Sequence, residues 1–60
     1  MEQNNIHRIQ AVVTETGQTV YVTDAPYVLG ILRAYCPYHY DATGRCYHDD
    51  QLNFTEERLQ

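Results

Sequence analysis

The chain has no lysine and no tryptophan; its four basic residues are all arginine, and Phe54 is its single phenylalanine. A nucleic-acid binder is expected to carry a basic patch. Eight carboxylates against four arginines, a net charge of −4, run the other way. Direct nucleic-acid binding is therefore not expected. No run of ~18 apolar residues occurs, so no membrane-spanning helix is expected. Two cysteines, Cys36 and Cys46, are too few for a disulfide framework. The opening Met1-Glu2-Gln3-Asn4-Asn5 lacks the basic-then-apolar pattern of a secretory signal. A reducing cytoplasm (that of a host cell, for a phage product) is the expected location, and a Cys36–Cys46 disulfide is not expected there.

Catalytic signatures are missing too. There is no phosphate loop, no nucleophile elbow and no H-E-x-x-H. His39 beside Tyr40 and Asp41, or Cys46 near His48, can be drawn as a dyad, but so short a chain has little room for a concave pocket. No enzyme is expected.

Sixty residues is one domain, with residues 1–5 read as a disordered tail and 6–60 as a single α+β domain. A chain this short buries only ~60% of its unfolded surface, and such domains usually add a disulfide, a metal or a partner subunit. Residues 6–14 alternate as a strand, with Ile9, Ala11 and Val13 on one face and Arg8, Gln10, Val12 and Thr14 on the other. Glu15-Thr16-Gly17 is a turn, and Gln18 to Thr23 a second strand. With Thr16-Gly17 as the loop, Val13 faces Val20, Ala11 faces Val22, and Val12 pairs with Tyr21 on the other side. A helix over about 25–36 follows, capped by Thr23 or Asp24, with Pro26 in its first turn. Val28, Ile31, Leu32 and Tyr35 form the stripe by which it packs on the hairpin, and Pro37 ends it. A short second hairpin then runs from Tyr38 to His48 around Asp41-Ala42-Thr43-Gly44. Leu52 and Phe54 alternate in an extended tail, and Thr55-Glu56-Glu57-Arg58 is too short to be a helix on its own.

The block from Tyr35 to His48 is where chemistry concentrates. It holds both cysteines, two of the three histidines and four of the six tyrosines. Cys36, His39, Cys46 and His48 are four ligands suited to a tetrahedral zinc site, though the last two are separated by a single residue, which is closer than usual. Without a metal, both cysteines read as small buried hydrophobes and both histidines as half-exposed hairpin residues. The tyrosines cannot all fit inside so small a core, and Tyr is enriched at interface hot spots. Tyr38, Tyr40 and Tyr47, interleaved with Asp41, Asp49, Asp50, Glu56 and Glu57, read as a partner-binding face of rings and carboxylates.

The expected function is a small acidic, non-catalytic binding protein. Its concrete form is a phage or mobile-element inhibitor, anti-CRISPR-like, that occludes a basic nucleic-acid-binding surface of a larger protein or ribonucleoprotein complex. No cofactor is expected in that reading. The alternative is a zinc-stabilised interaction module using Cys36, His39, Cys46 and His48, and a third reading is a homodimer formed through Val12, Tyr21 or the tyrosine face.

Overall fold

A computed structural model describes residues 6–59; the expected tail over residues 1–5 lies outside them. The chain is a small α+β domain in the expected order of hairpin, helix, second hairpin and extended tail. β1 (His7–Val13) and β2 (Thr19–Ala25) form the first hairpin, α1 (Leu29–Tyr35) follows, and β3 (Tyr38–Tyr40) and β4 (Cys46–His48) form the second. A single 3-10 turn at Asp49–Gln51 leads into β5 (Leu52–Arg58). The sheet order is β2-β1-β5, all antiparallel, with β3–β4 as a separate two-stranded ribbon.

The alternation read in β1 holds: Ile9, Ala11 and Val13 are buried, with more exposed residues between them. The register of the first hairpin differs from expectation. Ala11 pairs with Tyr21 and Val12 with Thr19, so the ladder skips Val20. Val20 is the extra residue of a β-bulge, which lets two successive residues reach the inner side. Val20 is buried and Tyr21 half-buried, and both pack on the cluster of Ala11, Val13, Tyr47 and Leu52. Gly17 closes the turn at φ 78°, a backbone region that L side chains rarely adopt. Its N–H donates to the Val13 carbonyl at 2.7 Å.

The helix differs more. β2 runs on through Thr23 and Asp24 to Ala25, so neither caps α1; Asp24 instead pairs with Arg8 across the hairpin. α1 starts after Val28 with no side-chain cap and buries none of its residues. Most of its stripe faces water: Val28 is 47%, Ile31 46% and Tyr35 79% exposed, and only Leu32 is half-buried. The inner face of the sheet is instead met by the second hairpin, whose Tyr47 joins the core cluster.

The extended tail expected around Leu52 and Phe54 is a full edge strand, β5. Glutamates are poor strand formers, yet residues 55–58 stay extended because β1 supplies partners: Glu57 lies opposite Arg8 and Glu56 opposite Ile9. Glu56 also accepts from the Leu29 N–H at 3.0 Å and contacts His7 at 3.2 Å, tying the start of α1 to the sheet. No helix of the described residues is long and apolar enough to cross a membrane.

Ile9 is fully buried and Ile31 half-exposed, so trimming one methylene from each separates core from surface. Ile9→Val is expected to lose about 1 kcal/mol and Ile31→Val less than about 0.5 kcal/mol. Urea denaturation measures both; equal losses would place α1 in the core.

Candidate functional site

In the second hairpin, cross-strand pairing sorts side chains onto two faces. His39 pairs with Tyr47, and both are buried; Tyr38 pairs with His48 and Tyr40 with Cys46, and all four are exposed. The quartet Cys36, His39, Cys46 and His48 is thereby divided. His39 faces the core and Cys46 and His48 face outward, while half-buried Cys36 ends α1. Both thiols are free. Among the described residues no group of three or more His, Cys, Asp or Glu side chains is placed to hold a metal ion. Cys46 is exposed and His39 buried, the reverse of what the sequence suggested for each.

The inward face carries a polar chain. His39, only 4% exposed, is the one buried polar residue among those described. Its Nδ1 lies 2.8 Å from the Tyr21 hydroxyl and its Nε2 3.4 Å from Asp49 Oδ1. Asp49 in turn accepts from Arg33 at 3.1 Å from Nε and 2.7 Å from Nη2. The Arg33 guanidinium lies 4.9 Å over the Phe54 ring, and Phe54 meets His39 edge-on at 5.2 Å. An ionised carboxylate only accepts, so in the neutral imidazole the proton sits on Nε2, directed at Asp49. Nδ1 is then bare and accepts from the Tyr21 O–H. Donation runs from Tyr21 of β2 through His39 of β3 to Asp49 of the 3-10 turn, which also accepts from Arg33 of α1.

A hydroxyl, an imidazole and a carboxylate in line resemble the order of a nucleophile, its base and the group that orients the base. Here the three groups join β2, β3 and the 3-10 turn. Burial, foremost, pushes the Tyr21 hydroxyl above its usual value. The Arg33 hydrogen bonds hold the Asp49 carboxyl below the usual carboxylate range. A groove of about 360 Å³ exists elsewhere, lined by His7, Pro26, Tyr27, Val28 and Arg58, with none of these network residues on its walls. The network positions the hairpin.

Several residues expected to touch a partner are occupied internally. Asp41 Oδ1 accepts from the Thr43 N–H at 2.9 Å, the Thr43 hydroxyl at 2.6 Å and the Arg45 N–H at 3.0 Å, which builds the turn. The Thr43 hydroxyl, above all, holds its carboxyl low. Tyr47 is buried, and its hydroxyl donates to Asp41 Oδ2 at 3.4 Å. Asp49 belongs to the network and Glu56 to the His7–Leu29 junction. Glu57 is exposed on β5. What remains on the outer face is Tyr38, Tyr40, Cys46 and His48, with Asp50 beside them. Tyr38 stacks edge-on against His48 at 5.3 Å, and His48 Nδ1 lies 2.8 Å from Asp50 Oδ1. The adjacent Cys46 thiol, foremost, raises the Tyr40 hydroxyl above its usual value. Sequence reasoning offered Tyr21 only as a dimer contact and gave Arg33 no site role, and nothing in their local pattern marks them for this network, since the contacts span 18 and 16 residues. No protein-family model, curated protein or solved structure matches this chain.

The carboxyls of Asp24, Asp41 and Asp49 all sit below their usual value in the folded chain. Such groups add stability above the unfolded-state value of about 4, and this is lost as the pH falls through the lower folded-state values. The urea midpoint is expected to hold from pH 7 down to about pH 5 and then fall. A midpoint flat to pH 2 would contradict these pairings. At neutral pH, Asp49→Ala leaves the buried His39 ring N–H without an acceptor, an expected loss of about 1–3 kcal/mol. Asp50→Ala, on an exposed carboxylate, is expected to change little in the same assay.

Proposed function

We propose that the chain is a non-catalytic binding domain that meets a basic protein partner through the outer face of the β3–β4 hairpin. The observation that carries this reading is the pair Tyr38 and Tyr40, 56% and 59% exposed, side by side on one strand of the ribbon. Large rings so placed lose little further freedom on binding and offer an apolar face with a polar tip. Asp50 stands next to them with its side chain 79% exposed. The net charge of −4 favours a basic partner through long-range attraction.

The mode of action in this reading is occlusion. A domain with two exposed rings side by side on this hairpin and surplus negative charge covers a basic surface on which another protein or ribonucleoprotein holds nucleic acid, as a phage-encoded, anti-CRISPR-like inhibitor does, inside a cytoplasm. Three of the expected carboxylates, Asp41, Asp49 and Glu56, are held internally. The contact therefore rests on the rings more than on the carboxylates.

Affinity capture from a cell lysate, with the captured proteins identified by mass spectrometry, tests this reading. A partner held by the wild type is expected to be basic, to be released by salt, and to bind Tyr38→Ser/Tyr40→Ser at least about tenfold more weakly. Tyr35→Ser, at an exposed ring on α1, should bind as the wild type does. Equal capture by the wild type and the double variant would remove the tyrosine face from the site.

A further inference from the structure

The three-stranded sheet has two edges, and they differ. β2 is broken by the bulge at Val20, a device that makes an edge hard to extend. β5 keeps one unbroken register with β1 from Leu52 to Arg58 and contains no proline, glycine or lysine. The direction of its backbone groups follows from two bonds in that register. The Thr14 N–H donates to the Gln51 carbonyl at 3.0 Å, and the Leu59 N–H to the Ile6 carbonyl at 2.7 Å. Alternation along an antiparallel strand then turns the N–H and C=O of Asn53, Thr55 and Glu57 toward β1. Those of Leu52, Phe54, Glu56 and Arg58 turn to the open side. Leu52 uses its N–H on the Asp49 carbonyl. Among the described residues no protein group meets the edge-facing N–H and C=O of Phe54 and Glu56.

The charge beside this edge selects what can add to it. Glu57 stands exposed there, and Glu56 beside it is already engaged by His7 and the Leu29 N–H. A second copy would bring the same two glutamates with a single arginine, Arg58, beside them, and its own charge of −4. A segment bearing lysine or arginine would meet opposite charge, and cross-strand pairs of opposite sign favour pairing where like charges oppose it. We propose that the β5 edge takes up an extended lysine- or arginine-bearing segment by strand addition, bonded at Phe54 and Glu56, with a basic side chain against Glu57. This mode of recognition draws affinity from main-chain bonds and selectivity from alternate side chains. It rests on the partner being basic, as proposed above, but uses a different surface from the tyrosine face.

Amide hydrogen exchange on the full-length, isotope-labelled chain tests it, with a short alternating Thr-Lys peptide as the probe. In the free protein the Phe54 and Glu56 amides are expected to exchange at least about tenfold faster than those of Thr55 and Glu57. The peptide should slow these two amides by about tenfold, and an alternating Thr-Glu peptide should not. Backbone N-methylation at Glu56, introduced by total synthesis, keeps the carboxylate and removes the edge N–H; it should abolish the effect. Tyr38→Ser/Tyr40→Ser should respond as the wild type, so failure of the tyrosine face leaves this result standing. The proposal is overturned if the Thr-Lys peptide leaves both amides unchanged or perturbs only Tyr38 and Tyr40. It is also overturned if the acidic peptide protects equally well. Protection without peptide that grows with protein concentration would instead assign the edge to a second copy.

Discussion

A buried imidazole must have both ring nitrogens bonded, because an unpaired polar group in an apolar surrounding costs kilocalories. His39 meets that demand by bonding Tyr21 of β2 on one side and Asp49 of the 3-10 turn on the other. Asp49 is in turn held by Arg33 of α1, and the Arg33 guanidinium lies on Phe54 of β5. The hydrophobic core is small, with Ala11, Val13, Val20, Tyr47 and Leu52 at its centre. Apolar contact of that extent is non-directional and would leave the second hairpin free to slide. The bonds of His39 give it one position.

That position decides what reaches the surface. With His39 and Tyr47 turned inward, the two-residue period of a strand obliges Tyr38, Tyr40, Cys46 and His48 to face out. It also splits the four Cys/His residues that look like a zinc quartet in sequence. The charges follow a similar logic. Arg8 meets Asp24 and Arg33 meets Asp49, while Glu56 joins His7 to the start of α1. Acidity that looks like one continuous face in sequence is thus divided between internal pairs and a few exposed carboxylates.

The helix shows how local pattern and tertiary use can part. Val28, Ile31, Leu32 and Tyr35 fall at helical spacing, and α1 forms among them, yet all but half-buried Leu32 stay in water. An apolar stripe predicts a helix because periodicity follows backbone geometry; it does not name what the stripe packs on. The inner face of the sheet was already met by Tyr47 and by the rings of Phe54 and His39. Residues 55–58 are the converse case. Their composition favours no strand, but β1 had an unpaired edge, and its backbone groups drew the segment into the sheet.

The sequence by itself determined the order of elements, the inner face of β1 at Ile9, Ala11 and Val13, the Gly17 and Gly44 turns and the interruption at Pro37. These depend on backbone geometry over a few residues. It did not determine the bulge at Val20, the third strand of the sheet or the burial of His39. Nor did it show which of the tyrosines and carboxylates stay exposed. Those were decided by tertiary structure, because each depends on a partner at a distance along the chain: Tyr21 for His39, Arg33 for Asp49, Arg8 for Asp24 and β1 for β5. Hydrogen bonds and ion pairs of that kind leave no periodic trace in the sequence, and they form only once the strands have placed their ends together.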